Sequence, residues 1–308
     1  MTGFENHIGF TISSTKLQLV EIIYKDGKFI LETVDEAYFN EPLNLEIDKE
    51  TKISALLQGA FNELLIKKPL KSNVASFSLP FELFYMMQVP YDNTLLHQDL
   101  IEEFKWEFSV LYPYSAHKDL VIQYIEVEKN NIINYNSAIV IGIERKYLQI
   151  IHNFCSENNL QLKFVDNVHL ASERALTLSN PLLGRGIVLS VYFTTKNLSI
   201  LFSLNGKPIY LNVIPLTDVG EIPALLLNET SSRESFIMKR NLIEKAFITG
   251  EGISETVIKT LRNALEIDFI KFNPFEKLKP NPVLFDNEYY SEKYNSFSPA
   301  TGVAIRLA

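Results

Sequence analysis

The feature that most restricts the fold is a strand, turn, strand, turn, strand pattern that occurs twice, about half a chain apart. The first copy runs Ile8-Gly9-Phe10-Thr11-Ile12-Ser13-Ser14-Thr15 into Leu17-Gln18-Leu19-Val20-Glu21, then turns at Asp26-Gly27 into Phe29-Ile30-Leu31. The second runs Ile187-Val188-Leu189-Ser190-Val191-Tyr192-Phe193-Thr194-Thr195 into Leu198-Ser199-Ile200-Leu201, then turns at Asn205-Gly206 into Ile209-Tyr210-Leu211. Asp-Gly and Asn-Gly between alternating apolar runs signal two-residue hairpins, because both turn positions take positive φ. Two such meanders in one chain predict a duplicated architecture.

Helical periodicity fills the space after the first meander. Ile53, Leu56, Leu57, Ala60, Phe61, Leu64 and Leu65 follow the i, i+3, i+4 spacing of one buried face and predict a helix over Lys49 to Lys67, ended by Pro69. Asn73 to Leu79 reads as a strand. A small module follows: strand Phe84 to Val89, helix Leu96 to Phe108, strands Leu120 to Val127 and Ser137 to Ile143. Asparagine pairs at Asn130-Asn131 and Asn134 to Asn136 punctuate it as turns. Helix Glu144 to Glu157, strand Leu162 to Asp166 and helix Val168 to Ser179 close the first half, and Gly184 to Gly186 reads as the link to the second. Beyond the second meander come a helix within Thr230 to Lys239, strand Ala246 to Thr249, a Gly250-Glu251-Gly252 turn, helix Ser254 to Leu265 and an extended Phe269 to Phe272.

The composition narrows the function classes. Hydrophobic content of 46% and a charged fraction of 21% are those of a globular protein. A net charge of -8, without any Lys/Arg-rich tract, argues against broad nucleic-acid binding. A single Cys excludes an internal disulfide and fits a reducing compartment. Met1 to Asn6 lack the basic and apolar regions of a signal peptide. Apolar runs such as Ile139 to Ile143 are far too short to span a bilayer. The expectation is a cytoplasmic protein that meets a membrane only through a partner. Asn197-Leu198-Ser199 and Asn228-Glu229-Thr230 match glycosylation sequons that a cytoplasmic chain would not use.

The order of motifs resembles the actin-like ATPase superfamily, and within it the PilM family of type IV pilus assembly proteins. Leu79-Pro80, Gln88-Val89-Pro90, a glutamate-containing helix ending at Tyr112-Pro113, Phe164-Val165-Asp166 before Leu170-Ala171-Ser172-Glu173-Arg174-Ala175-Leu176, Asn273-Pro274-Phe275 and the Ala/Gly/Leu tail from Ser298 to Ala308 follow that family's sequence of weak motifs over nearly the whole chain. The resemblance implies an α/β, actin-like fold of two RNase H-like halves, with a small β-α-β-β insert in the first half and a reduced second half. The implied boundaries are 1–79 and 144–183 for the first half, 80–143 for the insert, 184–296 for the second half and 297–308 for a C-terminal helix returning to the first half. Only about thirty residues separate Pro215 from Ala246, where the family holds several helices over the nucleotide base; the subdomain is expected to be trimmed to one helix.

In the superfamily the first turn of each meander carries an Asp, which works around the metal and the attacking water, and a Gly that admits a phosphate. The ungapped match places Thr11 and Ser13 there in the first copy, Ser190 and Tyr192 in the second, and Gln18, with Lys16 nearby, at a common Lys position. Carboxylate oxygens suit Mg²⁺, and phosphoryl transfer relies on that metal for charge stabilisation. The resemblance therefore implies a degenerate nucleotide cleft, in which Ser13, Ser14, Thr15, Ser190, Thr194, Thr195, Gly250 and Gly252 are the residues left to meet an anion. No cofactor is expected, ATP with Mg²⁺ being disfavoured. Hydroxyl-rich turns are also common without any ligand.

Partner binding is the remaining class. In PilM proteins the cytoplasmic N-terminal segment of a single-span inner-membrane protein, PilN, docks between the first-half core and the insert. The resemblance places a docking groove along Leu79 to Met87 and Trp106 to Tyr112, with Phe81, Phe84, Met86, Trp106 and Tyr112 as contact candidates. Met and aromatics suit adaptable peptide grooves. Glu102, Glu103 and Glu107 form an acidic face around Trp106, read either as solvated surface or as a dock for a basic peptide. Homo-oligomers are a further expectation. The reading is a non-catalytic scaffold at the inner face of the inner membrane. Alternatives are a diverged ATPase or kinase, kept open by Asp166 and Asp218, and a small-molecule sensor. His152 and Cys155 share a helical face without the further ligands a zinc site needs.

Overall fold

The computed structural model describes residues 6–130, 132–179, 186–231 and 242–306. In chain order the first elements are β1 (His7–Ile12), β2 (Lys16–Lys25), β3 (Lys28–Tyr38), α1 (Glu50–Lys67), β4 (Val74–Leu79), β5 (Phe84–Pro90), α2 (His97–Leu111), β6 (Leu120–Val127), β7 (Ser137–Glu144), α3 (Arg145–Glu157), β8 (Gln161–Asn167) and α4 (Val168–Ser179). They are followed by β9 (Ile187–Phe193), β10 (Asn197–Leu204), β11 (Lys207–Pro215), α5 (Ile222–Ser231), β12 (Ile243–Gly250), α6 (Glu255–Leu265), β13 (Phe269–Lys271), β14 (Lys279–Pro280), α7 (Glu288–Ser291) and α8 (Ser298–Ala304). The chain divides into two compact units, one of residues 1–83, 146–181 and 272–308, the other of residues 84–145 and 182–271.

The first unit is built on a six-stranded sheet in the order β14-β3-β2-β1-β4-β8. β1 is central, antiparallel to β2 and parallel to β4. All six of its residues are buried, as expected of a strand covered on both faces. Successive side chains of a strand point to opposite faces, and Phe10 and Gly9 use this differently. Phe10 stacks on Phe77 and meets Phe61 of α1 edge-on, and Phe61 meets Phe154 of α3. On the other face Gly9 lies so close to α8 that a Cβ would sit 1.8 Å from the Ala300 carbonyl oxygen. Every residue of α8 is buried. A Cβ on Gly302 would likewise fall 1.7 Å from the carbonyl oxygen of Ala171 in α4. The small-residue tail thus wedges between β1 and α4, where only glycines let the backbones meet.

The second unit holds a five-stranded sheet, β11-β10-β9-β12-β13, and a three-stranded antiparallel sheet, β5-β7-β6. Leu100, Phe104 and Phe108 of α2 pack with Met87, Ala138 and Val140 on one face of the smaller sheet. β11 runs against all three strands of that sheet, and the Gln88 amide donates to Ile209 O at 2.9 Å. The module that interrupts the first half in sequence therefore packs on the second meander.

Both Gly turns form as expected: Asp26 and Gly27, and Asn205 and Gly206, all take positive φ. The predicted strands and helices appear within a few residues of their expected ends. A helix follows the second meander at Ile222–Ser231, and the one expected within Thr230 to Lys239 falls, from position 232 onward, outside the described residues. Asp218 starts the Ile222–Ser231 helix by capping a short 3-10 turn, its carboxylate accepting from Gly220 N at 2.6 Å. Positions 184 and 185 of the expected link, and 307 and 308 of the tail, also lie outside the described residues.

Candidate functional site

The turn between β1 and β2 is closed by its own hydroxyl. Ser13 N donates to Lys16 O at 3.0 Å. Ser13 Oγ accepts from Lys16 N at 3.2 Å and from Thr15 N at 3.3 Å. The carbonyls of Ser14 and Thr15 accept from Leu43 N and Phe39 N, both at 2.8 Å. The turn between β9 and β10 repeats this. Thr194 N donates to Asn197 O, Thr194 Oγ1 accepts from Lys196 N at 3.2 Å and Asn197 N at 3.1 Å, and Lys196 O accepts from Leu216 N. Backbone N–H groups are what a phosphate-binding turn offers an anion. Here Ser13 and Thr194 take two of them in each turn, in the manner of Ser/Thr turn motifs.

Strand pairing corrects the alignment of the two copies. Ile12 faces Leu17 across the first turn and Phe193 faces Leu198 across the second. Thr194 is therefore level with Ser13, Tyr192 with Thr11, and Ser190 with Gly9. The ungapped match set Ser190 beside Thr11 and Tyr192 beside Ser13, two residues off. The reason is strand length: β2 has 10 residues and β10 has 8, so a match that aligns the Gly turns misplaces the turns before them. The strand register thus moves the second-copy match from Ser190 and Tyr192 to Tyr192 and Thr194, level with Thr11 and Ser13. Ser190 is buried inside the five-stranded sheet, away from the turn. Thr195 is exposed at the turn's tip.

The neighbouring polar groups have internal partners. Thr11 Oγ1 lies 2.7 Å from Ser78 Oγ, which donates to Phe10 O at 3.2 Å, so Thr11 is the donor to Ser78. Lys16 Nζ sits 2.9 Å from Glu36 Oε2, with 11% and 1% of the two side chains exposed. Gln18 and Tyr38 donate to the same carboxylate. Burial pushes the Glu36 carboxyl up, but the three donors outweigh it and hold its pKa below the ordinary value. Asp166 is held by Arg174 at 2.8 Å and Arg306 at 3.3 Å, and Arg306 lies over the Phe164 ring. The Val165-Asp166 and Arg174 motifs are therefore two ends of one tie between β8 and α4. Asp218 is a helix cap. None of Thr11, Ser13, Tyr192 and Thr194 is an acid, and Lys16 is paired with Glu36 inside the sheet.

Gly250 and Gly252 have local reasons to be glycine. A Cβ on Gly250 would lie 2.1 Å from Phe193 O, and Gly252 has a φ of 68°. Cys155 is buried, and burial pushes its thiol up to about 12, which removes the thiolate a nucleophile or metal ligand needs. His152 is exposed.

Within the second unit, the partner candidates Phe84, Met86, Trp106 and Tyr112 do not share one face. Phe81 is 3% exposed and belongs to the first unit. Tyr112 braces the insert, donating to Met86 O at 2.7 Å and meeting Tyr85 edge-on. Alternation along β5 sends Tyr85, Met87 and Val89 toward α2, so Phe84, Met86 and Gln88 point to the opposite face. Trp106 lies on α2 away from its buried Leu100, Phe104 and Phe108 and is 62% exposed. Trp106 and the Phe84/Met86 pair are separated by the thickness of a helix and a sheet. The parity of β5 was visible in the sequence; which parity meets the helix was not.

No family model and no curated protein matches the sequence. Solved structures do match the fold. A chain of a PilM-PilN type IV pilus biogenesis complex superposes with a TM-score of 0.78 at 16% identity, over 99% of both chains. The chain has a PilM-like, actin-like fold. A Bacteroides thetaiotaomicron protein with an actin-like ATPase fold and unknown function matches at a TM-score of 0.50 and 13% identity, over 87% of this chain and 91% of that one.

Proposed function

We propose that this protein is a non-catalytic, PilM-like scaffold that docks the cytoplasmic segment of a single-span inner-membrane protein in a type IV pilus or related secretion assembly. The observation that carries the non-catalytic part is the pair of self-closed turns, with Thr11 and Tyr192 where metal-directing acids stand in the superfamily. The observation that supports the assembly part is the match over the whole chain to a protein of a PilM-PilN complex. No helix of the described residues is long and apolar enough to cross a membrane, so attachment through a partner is part of the reading.

Two measurements test it together. Ligand binding to the native state raises stability by RT ln(1 + [L]/Kd). Thermal unfolding with millimolar Mg-ATP is expected to match unfolding without it. A saturable upward shift would overturn the non-catalytic reading and favour a diverged ATPase or a nucleotide sensor. Immobilised protein is expected to capture the cytoplasmic N-terminal segment of a single-span membrane protein encoded beside it; failure of all such segments to bind would overturn the scaffold reading.

A further inference from the structure

The exposed end of α2 has the composition of an interface and not of a solvated surface. Trp106 and Val110 are 62% and 52% exposed. Trp106 and Val110 lie one helical turn apart on the face away from the insert core. Large apolar groups are not needed there for folding, since Leu100, Phe104 and Phe108 already cover the sheet. Adjacent exposed apolar side chains of this kind mark docking sites, and tryptophan is enriched among the anchors of such sites.

The charge around the patch selects its occupant. Asp99, Glu102, Glu103 and Glu107 share the helix with a single Lys105, which is paired to Glu102 at 2.6 Å. Glu103 lies one turn back from Trp106, and its Oε2 is buried without a hydrogen-bond partner in the described residues. A buried carboxylate oxygen without a donor is unfavourable until one arrives. An anionic lipid surface is repelled by this face. A second copy of the same face would set glutamate against glutamate.

We infer that the outer face of α2, from Glu102 to Val110, docks an amphipathic protein segment that presents apolar side chains to Trp106 and Val110 and Lys or Arg to Glu103 and Glu107. The inference rests on the scaffold reading above and names the chemistry of its partner. Cytoplasmic flanks of membrane spans are enriched in Lys and Arg, which gives such a segment the required charge.

Trp106 is the single tryptophan of the chain, so its emission reports occupancy directly. The probe is an 18-residue amphipathic helical peptide of Leu and Lys; its Leu/Glu counterpart is the control. In buffered physiological salt the Leu/Lys peptide is expected to blue-shift Trp106 emission with saturation, and the Leu/Glu peptide to leave it unchanged. The E102Q/E103Q/E107Q variant, with circular dichroism verifying its fold, is expected to bind at least ten-fold more weakly, and Val110→Asp to abolish the apolar contribution. Equal binding by both peptides, unchanged binding by the triple variant, no spectral change, or a shift that follows protein concentration alone through self-association would each overturn the inference. If the peptide binds here while no membrane-protein segment is captured, the scaffold reading fails alone. If such a segment is captured by Val110→Asp as well as by the native chain, the surface assignment fails alone.

Discussion

Lys16→Met separates a structural lysine from a phosphate-binding one. The Lys16 ammonium and the Glu36 carboxylate are 2.9 Å apart and nearly excluded from water. Removing one member of a buried pair costs about 3–5 kcal/mol, because the other charge is left without compensation. Gln18 and Tyr38 still donate to Glu36, which places the expected loss at the low end, ~3 kcal/mol. For a unit of this size that corresponds to a melting temperature lower by about 6–12 °C. The pH dependence carries the sharper signature. In the native chain the Glu36 pKa is held low, so its stabilisation is present above the unfolded carboxyl pKa and is lost as pH falls through the folded one. Without Lys16, burial dominates and the folded pKa rises above the unfolded value. Glu36 then favours the fold below the unfolded pKa, and that contribution is lost as pH rises through the folded one. The gap between native and Lys16→Met proteins must therefore narrow as pH falls from 7 toward 4. Denaturant unfolding followed by far-ultraviolet circular dichroism at both pH values measures it. A variant as stable as the native protein at pH 7, or a gap independent of pH, would refute the buried-pair argument and free Lys16 for an anion.

Gly302→Ala puts a methyl group against the Ala171 carbonyl and is expected to cost about 1–3 kcal/mol or more, as overpacking of a backbone contact does; Gly59→Ala, where a Cβ meets nothing within 4 Å, is the control that thermal unfolding should find near neutral or stabilised. His169 is fully buried, and burial holds its pKa down to about 3. The unfolded chain takes up that proton first, so stability falls as pH drops below about 6.5, and His169→Gln is expected to flatten this part of the pH–stability curve. Cys155 is expected to react with a thiol reagent at pH 8 only at the rate of opening, and at full rate in denaturant, because burial holds its proton on; fast labelling of the native protein would contradict its place in α3.

The extent of legibility followed the range of the interactions. The hairpin turns at Asp26-Gly27 and Asn205-Gly206, the stripe of α1 and the β5-α2-β6-β7 module were all readable, because φ preference and apolar period are properties of a few neighbouring residues. The site was half readable. Absence of acids at the turns is a fact of composition and survived the two-residue correction of register. The partners of the remaining polar groups were hidden, because Lys16 finds Glu36 across a strand and Arg306 reaches Asp166 from 140 positions away.

Local chemistry in the sequence thus determined that this chain would fold as two meanders whose first turns, Ser13-Ser14-Thr15 and Thr194-Thr195-Lys196, carry no acid. Tertiary structure alone decided that Tyr192 and not Ser190 is level with Thr11, that Phe84 and Trp106 face opposite ways, and that the insert joins the second meander. The first follows from the unequal lengths of β2 and β10, and the other two depend on which of two equally apolar faces is covered by a distant element. That choice is made by burial summed over the whole core, and no short stretch of sequence contains it.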